Sequence, residues 1–147
     1  MLSRTRRPIN AVNVRAALVA VSALNPGRHD ARPGDGLTAR YVNDDGRPNC
    51  LVAHVLLRLG ITIHVLRALD QEYPTGELVR PGVKITETRH KALRRLDPDA
   101  QALLGYVQDR QEAGARWDRI VEEAFNPGRL SRRRWYRWRP AALAPSG

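Results

Sequence analysis

Apolar residues recur along this chain at three- and four-residue spacing, and each run is closed by residues that cannot continue a helix. The clearest run is Trp117, Ile120, Val121, Ala124 and Phe125, at i, i+3, i+4, i+7 and i+8. That spacing lays one apolar stripe along one face of an α-helix. Asn126-Pro127-Gly128 stops it, because proline cannot continue a helix and glycine accepts a positive φ. The same tripeptide, Asn25-Pro26-Gly27, closes an earlier stripe of Val14, Ala17, Leu18, Val21 and Leu24, which Asn10 or Asn13 can cap. The flanking residues share nothing further, so the recurrence is common stop chemistry and not an internal repeat.

The rest of the chain reads in the same terms. Residues 25–38 are a Gly/Pro/Asp-rich loop, and Thr38 to Val42 a short strand closed by the turn Asn43-Asp44-Asp45-Gly46. Pro48 and Asn49 open a helix with Leu51, Val52, Val55, Leu56 and Leu59 on its buried side, ended by Gly60. Thr62 caps a third helix carrying Ile63, Leu66 and Leu69. Tyr73 to Gly82 is irregular, and Val83 to Thr86 is either extended or leads into a helix through Leu93 and Leu96. Asp97-Pro98 starts a helix with Ala100, Leu103, Leu104 and Val107 inside and Gly114 at its end. Ser131 caps a last short helix before Pro140. The expected fold is mainly α, with at most a minor β element. A helical region with irregular loops spans 1–96, a helical C-terminal unit 97–139, and a flexible tail 140–147.

A chain of 147 residues can bury a full core without a disulfide or metal staple. The single cysteine, Cys50, excludes an internal disulfide and any zinc site built on two or more cysteines. No apolar stretch is long enough to span a membrane. With no charged-then-apolar leader, the expected location is cytoplasmic: at the nucleoid or, for a phage-encoded chain, in the virion.

Charge is the strongest functional signal. The net charge is +10, from 25 basic and 15 acidic side chains. Residues 1–60 carry nine basic and four acidic side chains, residues 61–127 ten and eleven, and residues 128–147 six arginines and no acid. The positive excess therefore lies at the two ends, an arrangement that can face a polyanion. Only two of the basic residues, Lys84 and Lys91, are lysines. Arginine forks well onto phosphate and guanine, but a GC-rich genome gives the same bias, so the bias decides little.

The segment from Gln111 to Arg139 says most. Gly114-Ala115-Arg116-Trp117-Asp118-Arg119-Ile120-Val121, followed by Ser131-Arg132, resembles the helix-turn-helix units of actinobacterial proteins. In those, a Gly-x-Ser-Trp-x-x-Ile-Ala helix precedes a turn and a Ser-Arg recognition helix. Arg116 departs from the pattern's small polar residue, and the turn is longer. The resemblance implies a C-terminal helix-turn-helix-like unit. A helix presented that way enters the major groove with its first residues nearest the base edges. Arg129, Arg132, Arg133, Arg134, Arg137 and Arg139 are the candidate nucleic-acid contacts, with Tyr136 as the aromatic one. Trp135 and Trp138 lie on one face and are read as anchors to the core ahead of stacking groups. Asp45-Gly46-Arg47-Pro48-Asn49-Cys50-Leu51-Val52, with Gln108-x-x-Gln111-x-x-Gly114-x-x-Trp117, is also similar to small proteins of actinobacteria and their phages.

Other constellations are weaker. Ala53 to Leu69 can be laid on a helix-turn-helix pattern, but Leu56 occupies the position that takes alanine, and a helical hairpin fits better. Cys50 and His54 stand one helical turn apart near a helix N-terminus, where a thiolate is stabilised. Only the scattered His29, His64 and His90 remain to complete a metal site, so a packed thiol and a surface imidazole are expected. Asp44, Asp45 and Asp70 read as turn and cap residues. The expectation is therefore a DNA-binding protein and not an enzyme, without cofactor or metal. It would act as a dimer or with Arg4, Arg6 and Arg7 as an added arm. The alternative is a phage or virion interaction protein docking on an acidic protein surface.

Overall fold

The structure, a computed structural model, describes residues 7–33, 39–76 and 80–126. It is mainly helical, with no sheet among those residues. Helix α1 (Ala11–Leu24) begins at Asn10, whose Oδ1 accepts from the Asn13 amide at 2.8 Å while the Asn13 side chain accepts from the Asn10 amide at 3.0 Å. This reciprocal pair satisfies two of the amides that every helix start leaves open. Past the end of α1, Gly27 takes φ +75°. Helix α2 (Leu51–Arg58) is followed by Gly60 at φ +95°, and α3 (Ile63–Gln71) is capped by Thr62. A 3-10 turn, Lys91–Arg95, precedes α4 (Pro98–Glu112), whose cap Asp97 accepts from the Ala100 amide at 2.8 Å. Helix α5 (Trp117–Phe125) follows a turn at Gly114, φ +83°.

Helix α1 lies at the centre and packs on α2, α4 and α5, while α4 also packs on α2 and α5. One apolar cluster runs from Ile9 to Ala124, with Leu18, Leu51, Leu56, Leu103, Leu104, Trp117 and Ile120 fully inside. Each such side chain contributes about 1.5–3 kcal/mol by leaving water. None of the helices among the described residues is long and apolar enough to cross a membrane.

Several local expectations need correcting. The strand expected over Thr38–Val42 is absent over 39–42, apart from a single bridge between Val42 and Pro48. The amides of Tyr41 and Val42 instead donate to the Asp70 carboxylate, at 2.8 and 3.0 Å, so no strand partner is needed. Helices α2 and α3 touch only slightly and do not form a side-by-side hairpin. Leu24 and Phe125 close their stripes but stand 73% and 50% exposed, as the last residue of each helix. Val83 and Lys84 have no regular structure and lead into a turn at 85–87, which lies against α4, where Gly105 makes room: a Cβ there would stand 2.5 Å from Thr86 Cγ2.

Candidate functional site

The nucleic-acid contacts expected from the sequence (Arg129, Arg132, Arg133, Arg134, Tyr136, Arg137 and Arg139) all lie outside the described residues, as do Ser131, Trp135 and Trp138. Of the helix-turn-helix resemblance, only the first helix, α5, lies within them. Its Trp117, Ile120 and Ala124 are buried against the bundle. The guanidinium of Arg15, in the second turn of α1, donates from Nε to the Ala124 carbonyl at 3.1 Å. The described chain therefore ends, at Asn126, beside the start of α1, about 6 Å of helix rise from Ala11. It begins, at Arg7, just ahead of that same helix start.

The sequence reading missed a cluster on this end of the body. Arg7, Arg58 and Arg95 line a cavity of about 630 Å³ together with Asn10, Asn13 and the small residues Ala16, Ala17 and Ala20 of α1. Among the described residues no carboxylate lines it. Arg7 and Arg95 are brought together by backbone pairing: the Ile9 amide donates to the Arg95 carbonyl at 2.6 Å and the Asp97 amide to the Ile9 carbonyl at 2.9 Å. Arg95 Nη2 reaches the Arg7 carbonyl at 3.5 Å. Its Nε is buried without an acceptor among the described residues. The three residues lie 37 or more positions apart in sequence, so no local pattern announces the cluster.

A second cluster surrounds Trp117. Asp30 Oδ2 accepts from Trp117 Nε1 at 2.9 Å and from the Leu51 amide at 3.1 Å. The neighbouring Val52 amide donates to Gln111 Oε1 at 2.9 Å, so two loose amides of α2 are held by side chains from distant parts of the chain. The Arg28 guanidinium carbon stands 4.2 Å from the indole centroid, and the His54 ring meets the indole edge-on at 5.3 Å. Burial pushes the Asp30 carboxyl above the usual carboxylate range, opposed by its bonds from Leu51 and Trp117. Burial, then the adjacent Arg28 charge, pulls the His54 imidazole down. His54 is thus half-buried, in contrast to the surface imidazole expected. The Cys50 thiol is packed as expected and pushed up to about 12 by burial, so a helix-start thiolate does not form at neutral pH.

Gln108 and Gln111, one turn apart on α4, are also buried. Gln108 Oε1 accepts from the Ile85 amide and its Nε2 donates to the Tyr41 hydroxyl, both at 2.8 Å. The segments Asp45 to Val52 and Gln108 to Trp117 thus meet in space. Their joint task is to hold the irregular segments around residues 30, 41, 50 and 85. Next to Gln111, burial pushes the Glu112 carboxyl up to about 7, with Lys84 opposing and Asp109 reinforcing. Among the described residues no group of three or more His, Cys, Asp or Glu side chains is placed to hold a metal ion. Comparisons with protein-family models, curated proteins and solved structures find no match.

Proposed function

We propose that the protein binds nucleic acid, double-stranded DNA first, through its arginine-rich ends. The observation that carries this reading is where the described chain begins and ends. Arg7 stands just ahead of α1, and the Ala124 carbonyl accepts from Arg15 in the second turn of that helix, so the described chain begins and ends near the same helix start; in the sequence, Arg4 and Arg6 precede the first point and six arginines with no acid follow the second. Positive charge concentrated at two ends of the sequence suits a duplex better than charge spread evenly along the chain. The arginines at 132, 133, 134 and 137 are assigned to phosphates and base edges, and the neutral-to-acidic middle of the chain is the scaffold.

Fluorescence anisotropy on a random 30-base-pair duplex at several salt concentrations tests this, with the full chain beside a form ending at Gly128. Tight binding by the full chain, falling steeply with salt and lost on truncation, is expected. Replacing Arg133 and Arg137 together by Ala should lower the salt slope by about two. Weak, salt-insensitive binding by both forms overturns the reading and leaves an acidic protein surface as the partner to look for.

A further inference from the structure

Three arginines, Arg7, Arg58 and Arg95, face one cavity at the start of α1, with no carboxylate in its lining. None of the three has an ion-pair partner among the described residues, whereas Arg40, Arg89, Arg110 and Arg116 each have one. Like charges gathered in this way repel and lower stability unless something neutralises them. One further feature points to an anion. Helix α1 has no acidic residue in its first turn, so the positive end of its dipole is uncompensated.

We infer that this notch is a phosphate-binding subsite. A phosphate offers several oxygens at tetrahedral angles, so it can accept from more than one guanidinium fork at once. The Ile9–Leu96 bridge holds Arg7 and Arg95 side by side before any ligand arrives, which limits the ordering cost of binding. A phosphodiester of a duplex and a free phosphate group present the same oxygens. As a duplex contact, the subsite rests on the nucleic-acid reading above; as an oxyanion site it does not.

The full-length protein is tested with two probes, inorganic pyrophosphate and the 30-base-pair duplex. Arg58→Gln is the main variant, because Arg58 is exposed at the end of α2 and makes no hydrogen bond or ion pair among the described residues. Arg95→Gln is the second variant, and the exposed Arg80→Gln the control. Millimolar pyrophosphate should raise the melting temperature of the parent and of Arg80→Gln by about 2–4 °C, and that of Arg58→Gln by much less. On the duplex, Arg58→Gln should reduce the salt slope by about one and the affinity about three- to tenfold. Both effects together establish the notch with the duplex as its source of phosphate, and the slope effect alone still places a duplex phosphate there. A pyrophosphate effect alone, with duplex binding absent or its slope unchanged, keeps the subsite and assigns it to a free phosphate. Identical melting shifts, or none, in parent and Arg58→Gln, together with an unchanged duplex slope, overturn the inference; duplex binding that persists in that case leaves the proposed function standing.

Discussion

Asp30→Ala should be among the most damaging single substitutions in the molecule outside the apolar core. The carboxylate is 7% exposed, and its Oδ2 holds two buried donors, the Leu51 amide and the Trp117 indole. Alanine leaves both without an acceptor, at about 1–3 kcal/mol each. Part of that loss is returned, because the folded protein no longer has to bury a carboxylate whose ionised form it disfavours. A net loss of about 2–4 kcal/mol at pH 7 results. Asp30→Asn keeps an oxygen in the same place and removes the charge, so it should stay within about 1 kcal/mol of the parent. The folded-state value of Asp30 is raised, so its contribution is fully present below the unfolded value and is lost as pH rises through the folded one. The Asn variant should lack that acid-side gain. Urea unfolding followed by far-UV circular dichroism measures all three proteins without relying on Trp117 emission. A loss below about 1 kcal/mol for Asp30→Ala, or equal losses for Ala and Asn, would refute the two-donor account.

Three further outcomes follow from the same geometry. The Glu112 carboxyl, pushed up from 4.5 to about 7, contributes stability that is complete below pH 4.5 and lost as pH rises through 7. Solvent reaches this half-buried group, so the loss should be about 1–2 kcal/mol; Glu112→Gln should flatten that part of the pH profile, and an unchanged profile would count against it. Gly114→Ala forces a side chain into φ +83°, with its Cβ 3.3 Å from Arg32 Nε, and should cost about 1–2 kcal/mol in urea unfolding. A neutral result there would mean the turn relaxes freely. Cys50 is 1% exposed and its thiol is pushed up to about 12, so at pH 7 its alkylation in the folded protein should be at least about a hundredfold slower than in urea. Comparable rates would show that the start of α2 opens readily.

The helices were legible because their signals are local. Asn10, the stop at 25–27, Gly60, Thr62 and Asp97-Pro98 mark their boundaries in the structure as in the sequence, since caps and positive-φ glycines act on backbone groups within a turn. What failed depended on distant partners. The segment at 39–42 has strand composition, yet Asp70, nearly thirty residues away, takes its amides. His54 looked like a surface imidazole because nothing nearby announces that Trp117 and Arg28 close over it. The arginine notch was invisible for the same reason: Arg7 and Arg95 meet because Ile9 pairs with the backbone beside Leu96, and Arg58 joins them from the end of α2. Gln108 and Gln111 stood out in the sequence by spacing, but their work on the Ile85 and Val52 amides could be read only from the fold.

Many of the acidic residues have partners away from the notch lined by Arg7, Arg58 and Arg95. Asp30, Asp70 and Asp97 accept from backbone amides, and Glu72 holds Thr88 and the Arg89 amide. Glu123 takes the Arg110 guanidinium through both its oxygens and the Tyr106 hydroxyl as well. Asp44, Asp109 and Asp118 are engaged with Arg40, Lys84 and Arg116. These carboxylates are taken up by loops, helix starts and other basic side chains, and none of them lines the notch of Arg7, Arg58 and Arg95. Irregular segments this long need such polar anchors, because they lack a ladder of their own. On the proposed reading, a phosphate supplies the negative charge that the lining of that notch lacks.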